Sequence, residues 1–544
     1  MKKLLGEKER LETEDKLFNF RPIFFIAVAL CLGIVFAYFR YSYGISRLWA
    51  LLLVGCAGIP FLFCSSLKRL RAVAFAFAML CVAFLVGTFS FRTQIVDYQK
   101  AEITDGESAY VTGRVLERTE RSYATQITID DVLVDGKVVN GKLVAYIPAT
   151  YGEKIRISDC VLLFGNIQNQ TGIFDEYGFK GTQIHENIRY RMETDKCQIV
   201  GKSNSLFLRL RNRMQNVLQT GMDETPANVT LALLTGDSSQ MDGDLLENVR
   251  YGGIAHIFAV SGLHVGALYA FCLWLTGKTA LSKLPKFLRF ALVACTLLFY
   301  GGVCGYTSSV MRASVMCLVF YASKLIGLKT DFLECIGLSA VIVLICSPVA
   351  LFTVGFQLSF GACLGIALWT KPIKKQLQDI FGGNGSRRIL ENGDSAPPTL
   401  LESARNATLS FVSVTLSAQV ATAPILLYSF GFLSVWSVLL NCIFVPLISG
   451  LFACILALTL ICCVLPISAS VFILKVPSLL FSALLLAFQV ADFSTLAITG
   501  VRLGLGGFLG YYGACLFLTD KWNVNKRLKW TLAGVCALVF ALTL

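Results

Sequence analysis

The chain has 544 residues, of which 55% are hydrophobic and only 15% are charged. Its mean hydropathy of +0.65 is typical of a membrane protein with many spans and excludes an ordinary soluble globular protein. The net charge of +13 is explained either by basic loops on the cytoplasmic side of a membrane or by attraction to nucleic acid.

The N-terminal part of the sequence is a polar tail followed by three apolar segments. Residues 1–20 mix Lys and Glu and lack the apolar core of a removable signal peptide. We predict spans at Pro22–Phe39, Leu48–Cys64 and Ala72–Ser90. Lys68, Arg69 and Arg71 lie between the second and third spans, on the same side as the N-terminus. The positive-inside rule makes that side the cytoplasm, so the segment after the third span is predicted to lie outside.

The segment 96–203 has the pattern of a small β domain. Alternating apolar and polar residues predict strands at 109–115, 125–129, 142–147 and 161–164, and Asp135-Gly136 predicts a hairpin turn. About five short strands in this length indicate an OB-like β-barrel. Between Asp97 and Lys202 there are 13 Lys and Arg against 16 Asp and Glu, so this segment has a net charge of −3.

Two cysteines, Cys160 and Cys197, lie in this β segment. Outside the cytoplasm they are predicted to form a disulfide, and the alternative is two free buried thiols. The sequence contains no CxxC pair, and neither HExxH nor HxHxDH occurs among its three histidines. We therefore predict neither a metal site nor a cofactor.

The segment 204–250 is predicted to contain helices at the external face of the membrane. Ser205–Gly221 alternates leucines with arginines, as an amphipathic helix does. That helix either lies on the membrane surface or contacts phosphate. A short apolar helix, Ala227–Leu234, is expected to end at the Thr235-Gly236-Asp237 turn.

The segment 252–266, which we call the signature segment, combines apolar and polar residues in an unusual way. It opens an apolar run that extends to about Leu275, yet it contains two of the three histidines. We predict one helix over 254–275, which would place Ser261 and His264 on one face. Gly262 and Gly266 have the GxxxG spacing that allows helices to approach closely. A Ser261–His264 nucleophile pair has no evident orienting acid, so we predict no catalytic residue.

The remainder of the chain is dominated by apolar segments. Spans are predicted at Phe287–Cys304, Ser308–Ile326, Phe332–Cys346, Leu351–Trp369 and Ala407–Tyr428, with few breaks to Leu518 and a last apolar stretch at Trp530–Leu544. A polar segment near 371–406 is predicted to be a flexible cytoplasmic linker. About 12–13 spans are expected in total.

Several predicted spans contain polar residues that a lipid-facing helix would avoid. Arg312 requires a partner or water at membrane depth, or else extends to the interface. Gln357, Ser359 and Gln419 either make hydrogen bonds between helices or line a transport path. Pro424 is expected to kink its helix.

The signature segment also carries a family resemblance. Residues 253–265, which read Gly-Ile-Ala-His-Ile-Phe-Ala-Val-Ser-Gly-Leu-His-Val, resemble the signature of the ComEC family, whose members carry transforming DNA across the bacterial inner membrane. Weaker resemblances follow the family order at Gly165–Phe179 (with Thr171 where proline is usual), Leu233–Asp237, Gly305–Arg312, Ser347-Pro348, Gly355–Phe360 and Gln419–Pro424. Many family members continue into a metallo-β-lactamase-like domain, which this sequence is expected to lack.

The resemblance implies roles for particular residues. The translocation path is predicted to involve Asp237, Gly253, His256, Ser261, Gly262, His264, Arg312, Gln357, Ser359 and Gln419. OB folds bind single strands through basic grooves and aromatic stacking, so Arg189, Tyr190 and Arg191 are predicted DNA contacts. Because the β segment has a net charge of −3, such binding needs a local basic face.

These observations together predict a polytopic α-helical membrane protein of about 12–13 spans with an inserted extracytoplasmic OB-like domain. Its parts are expected at 1–95 (tail and three spans), 96–203 (OB-like domain), 204–250 (external helices) and 251–544 (channel domain). The resemblance implies a multi-pass protein of the bacterial inner membrane, with a cytoplasmic N-terminus, that translocates single-stranded DNA during natural competence. The implied partners are single-stranded DNA, membrane lipid, a DNA receptor, a separate nuclease and a cytoplasmic helicase-like motor, with a homo-oligomer left open.

Two other functions are compatible with the sequence. A transporter of another solute would have a cavity too narrow for DNA or lined by acids. A scaffold for membrane assembly that transports nothing would have a closed, apolar interior.

Overall fold

The computed structural model describes residues 21–44, 68–100, 102–103, 105–120, 124–152, 155–157, 159–176, 178–202, 205–238, 240–258, 260–327, 331–381, 399–490, 497–499, 504–517 and 531–538. The predicted span at Leu48–Cys64 and residues 382–398 of the predicted linker lie outside this part of the chain. The rest of that linker is helical at both ends, because one helix continues to Phe381 and the next begins at Leu400.

Helices dominate the fold. The α-helices are α1 (Pro22–Tyr43), α2 (Lys68–Tyr98), α3 (Ala149–Gly152), α4 (Gly181–Glu186), α5 (Leu206–Gly221), α6 (Glu224–Thr235), α7 (Gly243–Tyr251), α8 (Ala255–Phe258), α9 (Gly262–Lys278), α10 (Lys286–Val303), α11 (Ser308–Leu325), α12 (Phe332–Cys346), α13 (Val354–Phe381), α14 (Leu400–Phe430), α15 (Ser437–Val464), α16 (Ile467–Ile473), α17 (Lys475–Val490) and α18 (Leu505–Phe517). Short 3-10 helices occupy Ala280–Lys283 and Pro348–Phe352, and residues 531–538 are helical.

Several helices are long and apolar enough to cross a membrane. Among the described residues there are five, namely Pro22–Tyr43, Phe75–Tyr98, Lys286–Val303, Leu401–Phe430 and Ser437–Val464. The pair Ile467–Ile473 and Lys475–Leu486, bent by 55°, would make a sixth if it is one broken span. The protein is therefore a multi-pass membrane protein, as the composition predicts. The total of 12–13 spans stays a prediction. The predicted span at Leu48–Cys64 lies outside the described residues, and the helices Ser308–Leu325, Phe332–Cys346 and Val354–Phe381 are not among these candidates.

The first two helices pack with their backbones in close contact. Gly33 of α1 lies against the carbonyl oxygen of Phe84, and Gly87 of α2 lies against that of Leu30. The Thr88 hydroxyl also donates to the carbonyl oxygen of Gly33 at 3.1 Å. Since a Cβ atom at either glycine would overlap backbone, this pair uses the small-residue packing that is common between membrane helices.

The β strands lie between α2 and α5. They are β1 (Glu107–Glu120), β2 (Thr125–Val134), β3 (Lys137–Val138), β4 (Lys142–Ile147), β5 (Asp159–Asn169), β6 (Phe174–Asp175), β7 (Gly178–Phe179) and β8 (Ile188–Lys202), and two further strands, β9 (Phe432–Ser434) and β10 (Ala497–Thr499), pair with each other. We call β1–β8 with α3 and α4 the sheet unit. Its six-stranded sheet has the order β1-β5-β8-β4-β2-β3, and β1 also pairs with β2.

The strand pattern predicted from alternation is confirmed. β4 has the predicted bounds, and the β2–β3 hairpin turns at Asp135 and Gly136, whose φ angles are 47° and 81°. Two residues with positive φ are what the favoured hairpin turn requires. The pairs are antiparallel except for β4 and β8, which run parallel.

The predicted disulfide between Cys160 and Cys197 is wrong, because both thiols are free. They lie on the adjacent strands β5 and β8, but Cys160 is opposite Gly201 whereas Cys197 is opposite Leu163. That register separates the two cysteines by three residues on β5, which is about 10 Å along the strand. A disulfide requires Cα atoms within about 7 Å.

The sheet unit is fixed to α2 by polar contacts at the end of that helix. The Tyr98 hydroxyl lies 2.6 Å from the carbonyl oxygen of Ile188 and 3.0 Å from that of Gln170. Arg189 on β8 forms an ion pair with Asp97 at 3.1 Å, and its side chain is only 3% exposed. Helix and sheet therefore meet through groups that satisfy each other.

A second contact surrounds the β6–β7 hairpin, which belongs to the Gly165–Phe179 motif. Phe179 packs against Tyr38 and Phe352, with ring centroids 5.1 and 5.2 Å apart. Beside it, His185 Nδ1 lies 2.7 Å from the hydroxyl of Ser347, to which the Gln94 amide also donates at 3.1 Å. This motif and the Ser347-Pro348 block thus join the sheet unit to the membrane helices.

Candidate functional site

The signature segment is not one helix. α7 ends at Tyr251, Gly253 has φ +73°, α8 covers only Ala255–Phe258, and Ser261 is extended before α9 begins at Gly262. The predicted continuous helix over 254–275 is therefore wrong at its start. Glycine favours the left-handed conformation, and a serine side chain satisfies free N–H groups at a helix start.

Ser261 and His264 are brought together by a capping box. The backbone N–H of Ser261 donates to His264 Nδ1 at 3.1 Å, and the N–H of Leu263 donates to the Ser261 hydroxyl at 3.3 Å. An accepting Nδ1 places the proton of the neutral imidazole on Nε2. Histidine here fills the position where glutamate usually completes this motif. Ser261 and His264 were predicted to share one face of a helix. Instead, Ser261 precedes the helix, and the capping box that it forms with His264 fixes where α9 starts.

His264 is fully buried and lies among aromatic rings. Its ring centroid is 4.8 Å from that of Phe452, which in turn is 5.9 Å from that of Tyr300. Its Nε2 has no hydrogen-bond partner among the described residues. His256, by contrast, has an exposed surface, while its ring is hydrogen-bonded to the backbone of Gly253 and surrounded by protein atoms. The two signature histidines therefore differ in surface exposure and in their hydrogen-bond partners.

Gly253 and Gln419, which are far apart in sequence, meet at two serines. A Cβ atom at position 253 would lie 2.5 Å from the Cβ of Ser437 and 3.0 Å from that of Ser434. The Gln419 amide donates to the carbonyl oxygen of Ser434 at 3.3 Å and also contacts the Ser437 hydroxyl. Sequence reasoning missed both serines, which look like ordinary small residues in an apolar run.

Gly262 and Arg312 form a second junction. A Cβ atom at position 262 would lie 3.5 Å from that of Ala313, whereas no neighbouring atom lies within 4 Å of such a position at Gly266. Only the first glycine of the predicted GxxxG pair therefore has a neighbour, at an ordinary van der Waals distance. Arg312 is 2% exposed and donates to the carbonyl oxygen of Gly355 at 2.9 Å. Of its two predicted alternatives, the buried and partnered one is correct.

The other predicted path residues on α13 have modest contacts. The Gln357 amide donates to the carbonyl oxygen of Leu351 at 3.2 Å, which is local to the start of the helix. Ser359 is half-buried on the same helix. The hydrogen bond of Gln357 does not reach the signature segment.

Asp237 belongs to a turn that packs on the signature segment. Gly236 ends α6 with φ +81°, and a Cβ atom there would lie 3.0 Å from the side chain of Val260. Asp237 forms an ion pair with Arg211 of α5 at 3.1 Å, with the two side chains 12% and 13% exposed. The turn therefore links the amphipathic helix α5 to the break between α8 and α9.

Pro424 lies inside α14, and two tyrosines compensate for it. Proline lacks the N–H that would bond to the carbonyl four residues earlier, which is Val420. The Tyr511 hydroxyl donates to that carbonyl at 2.8 Å, and the Tyr512 hydroxyl donates to the carbonyl of Ala421 at 2.8 Å. Sequence reasoning missed both tyrosines, although the missing donor of Pro424 was a signal that a partner was needed.

Two of the three predicted DNA contacts are wrong. Tyr190 is fully buried in the core of the sheet unit, and Arg189 is buried in its ion pair with Asp97. Arg191 is partly exposed, donates to Glu193 at 2.6 Å and lies 4.7 Å over the ring of Tyr146. Only Arg191 is thus accessible to a strand.

Comparison with known proteins gives a consistent picture. ComE operon protein 3 of Bacillus subtilis (strain 168) is 26% identical over 261 residues, which cover 48% of this chain and 28% of that protein. An uncharacterized protein of Aquifex aeolicus (strain VF5) is 29% identical over 238 residues, covering 43% of this chain and 48% of that one. The chain thus spans less than half the length of either relative. No solved structure matches the chain.

A family model described as "Competence protein" matches residues 233–524, which include the signature segment, Arg312, Gln419 and both tyrosines of α18. This match covers more than half of the chain and agrees with the ComEC resemblance of the signature segment. The chain therefore belongs to the competence protein family.

Proposed function

We propose that this protein carries single-stranded transforming DNA across the cytoplasmic membrane of a bacterium during natural competence. The observation that carries the proposal is the family match over residues 233–524. The similarity to ComE operon protein 3 and the apolar helices of a multi-pass membrane protein support it.

The translocation path runs beside the break between α8 and α9. Irregular backbone at membrane depth is tolerated where it is packed in protein or lines a water-filled cavity. His256 and Gly262 are the exposed signature residues at this break. The contacts of the other signature and path residues support a role in holding the surrounding helices in place; these residues are Gly253, Ser261, His264, Arg312 and Gln419.

The sheet unit is proposed to be an OB-type barrel on the external face, within residues 96–203. The pairing of β1 with both β5 and β2 and the parallel pair β4–β8 favour this arrangement. Arg191, which lies over the ring of the half-buried Tyr146, supplies a cation for a single strand. Residues 251–544 would form the channel domain, with the N-terminus in the cytoplasm.

This function requires other components. A DNA receptor must deliver the duplex, a nuclease must supply the single strand, and a cytoplasmic helicase-like motor or a gradient must provide energy. Within the described residues we find no group of three or more His, Cys, Asp or Glu that could hold a metal ion.

The proposal is tested by transformation frequency in a naturally transformable host that lacks the gene. The native chain should restore transformants, and His256→Ala should reduce them without lowering the amount of protein in the membrane. His256 is chosen because it has an exposed surface at the break, and an unchanged melting temperature of the variant would exclude loss of folding as the cause of a defect. Unchanged transformation in the deletion strain would refute the proposal.

A further inference from the structure

A polar cleft separates the sheet unit from helices α5 and α6. Its volume is about 170 Å³, and its lining includes Arg118 and Arg156 from the sheet unit and Arg211, Gln215 and Asp237 from the helical side. A second cavity of about 300 Å³ shares Arg118 and adjoins it. The cleft therefore lies where a ligand leaving the sheet unit would first meet the helices that carry the Asp237 turn.

The charges of the cleft favour an anion. Among the described residues, three guanidinium groups line it against one carboxylate, Asp237, which is paired with Arg211 at 3.1 Å. The adjoining cavity is less basic, because Glu224 and Asp242 line it beside Arg118. The excess of positive charge is thus confined to the smaller cleft.

Two of the three arginines are oriented by side-chain contacts before any ligand arrives. Arg118 donates from Nε to the carbonyl oxygen of Gly152 at 3.1 Å. The backbone of Arg156 is fixed by the bond from its N–H to the Asp159 carboxylate at 2.7 Å, while its side chain is exposed to the cleft. Arg211 is oriented by Asp237. Guanidinium groups bind phosphate oxygens in a forked geometry, and groups that are already positioned lose less entropy on binding.

We propose that this cleft binds phosphodiester groups of the nucleic-acid strand between the sheet unit and the membrane helices, with Arg211 exchanging Asp237 for a phosphate. This inference rests on the proposed function. A mainly polar lining built from both the sheet unit and the helices suits a strand that passes from one to the other. A lipid headgroup would also present phosphate, but it would need an apolar slot for its chains.

The proposal is tested with the full chain in nanodiscs of neutral lipid and a fluorescein-labelled oligo(dT), by anisotropy over a range of salt concentrations. At about 0.1 M salt each lost phosphate contact of a single strand should weaken binding about fivefold and lower the salt slope by about 0.7. Arg156→Gln should therefore raise Kd about fivefold, and Arg156→Gln with Arg211→Gln about 25-fold.

The matched control is Arg209→Gln, an exposed arginine on α5 outside the cleft, which should leave Kd and slope unchanged. Arg156 is also exposed, so its variant tests the proposal even if the Arg211 change disturbs folding. Arg211→Lys should retain part of the affinity, since it keeps the charge but not the fork. Asp237→Asn should tighten binding by removing the competing carboxylate.

Cleft variants that bind oligo(dT) like Arg209→Gln would overturn the inference. The inference would also be overturned if the cleft variants changed oligo(dT) binding only in nanodiscs of anionic lipid. That result would assign the cleft to a lipid headgroup. If the native chain binds oligo(dT) and restores transformation while the cleft variants match it in both, only the cleft inference fails. If the deletion strain transforms normally, the proposed function itself fails.

Discussion

At the scale of single residues, the two histidines of the signature segment have separate tasks. His264 closes the capping box and fills space beside Phe452, whereas His256 is exposed at the break between helices. Their sequence context is alike, because both stand in apolar surroundings near glycines. Changing each to the same residue therefore separates a structural role from a transport role.

His264→Ala should lower the stability of the purified protein by about 2 to 4 kcal/mol. The change leaves the Ser261 N–H without its acceptor and opens a cavity in the aromatic cluster. Thermal unfolding in detergent, followed by circular dichroism, measures the effect. His256→Ala is the comparison and should lower the melting temperature less than His264→Ala, because the His256 side chain has an exposed surface. Equal melting of all three proteins would contradict the buried role of His264.

Gly253→Ala should also be destabilising, by about 1 to 3 kcal/mol. Its φ of +73° is strained for alanine, and the new methyl group would meet Ser437. Gly266→Ala is the matched control, because that glycine is helical and has open space around it. Its replacement should be neutral or stabilising by up to about 1 kcal/mol. Similar melting temperatures for the two variants would refute the close contact at Gly253.

At the scale of elements, local patterns predicted type and position well. The bounds of β4, the turn at Asp135-Gly136 and the amphipathic helix α5 followed from alternation, turn chemistry and helical spacing. The break before Gly262 was missed because apolar residues continue across it, and only Ser261 marks it. Hydrophobic periodicity records which face is buried and does not record where the backbone stops being helical.

Pro424 and its tyrosine partner give a prediction for a pair of residues. Tyr511→Phe removes the donor to the Val420 carbonyl and should cost about 1 to 3 kcal/mol in the native chain. In a Pro424→Ala background the helix regains its own N–H donor, so the same change should cost clearly less. A double-mutant cycle of melting temperatures measures this coupling. Tyr428→Phe, at an exposed tyrosine of α14, is the control, and additive effects would contradict the role of Tyr511.

At the scale of the whole molecule, the sheet unit and the membrane helices are joined by polar and aromatic contacts. The family motif at Gly165–Phe179 supplies the hairpin, and Tyr98, Arg189 and His185 supply the polar bonds. None of this could be predicted from sequence, since a buried arginine and a surface arginine look alike until the partner is known. The Cys160–Cys197 disulfide was predicted wrongly for a similar reason, because the register between β5 and β8 cannot be read from the sequence.

This junction should weaken on acidification. Burial lowers the pKa of His185 below its ordinary value, and the positive charges of Arg312 and Lys142 lower it further. The unfolded chain therefore takes up the proton first, so stability is full above about pH 6.5 and is lost as the pH falls below it. Melting temperatures between about pH 7.5 and pH 5.5 should fall less steeply for His185→Gln than for the native chain. Identical pH slopes would show that this histidine does not contribute.

The tyrosine bonds at Pro424 also bear on how the chain is assembled during synthesis. Val420 and Tyr511 are 91 residues apart, so the ribosome releases α14 well before the tyrosine donors of α18. Until α18 packs against α14, the carbonyls of Val420 and Ala421 lack their tyrosine partners. Gln419 adjoins these carbonyls and holds Ser434 and Ser437 beside Gly253. The surroundings of the signature segment thus reach their final geometry only after α18 has been made.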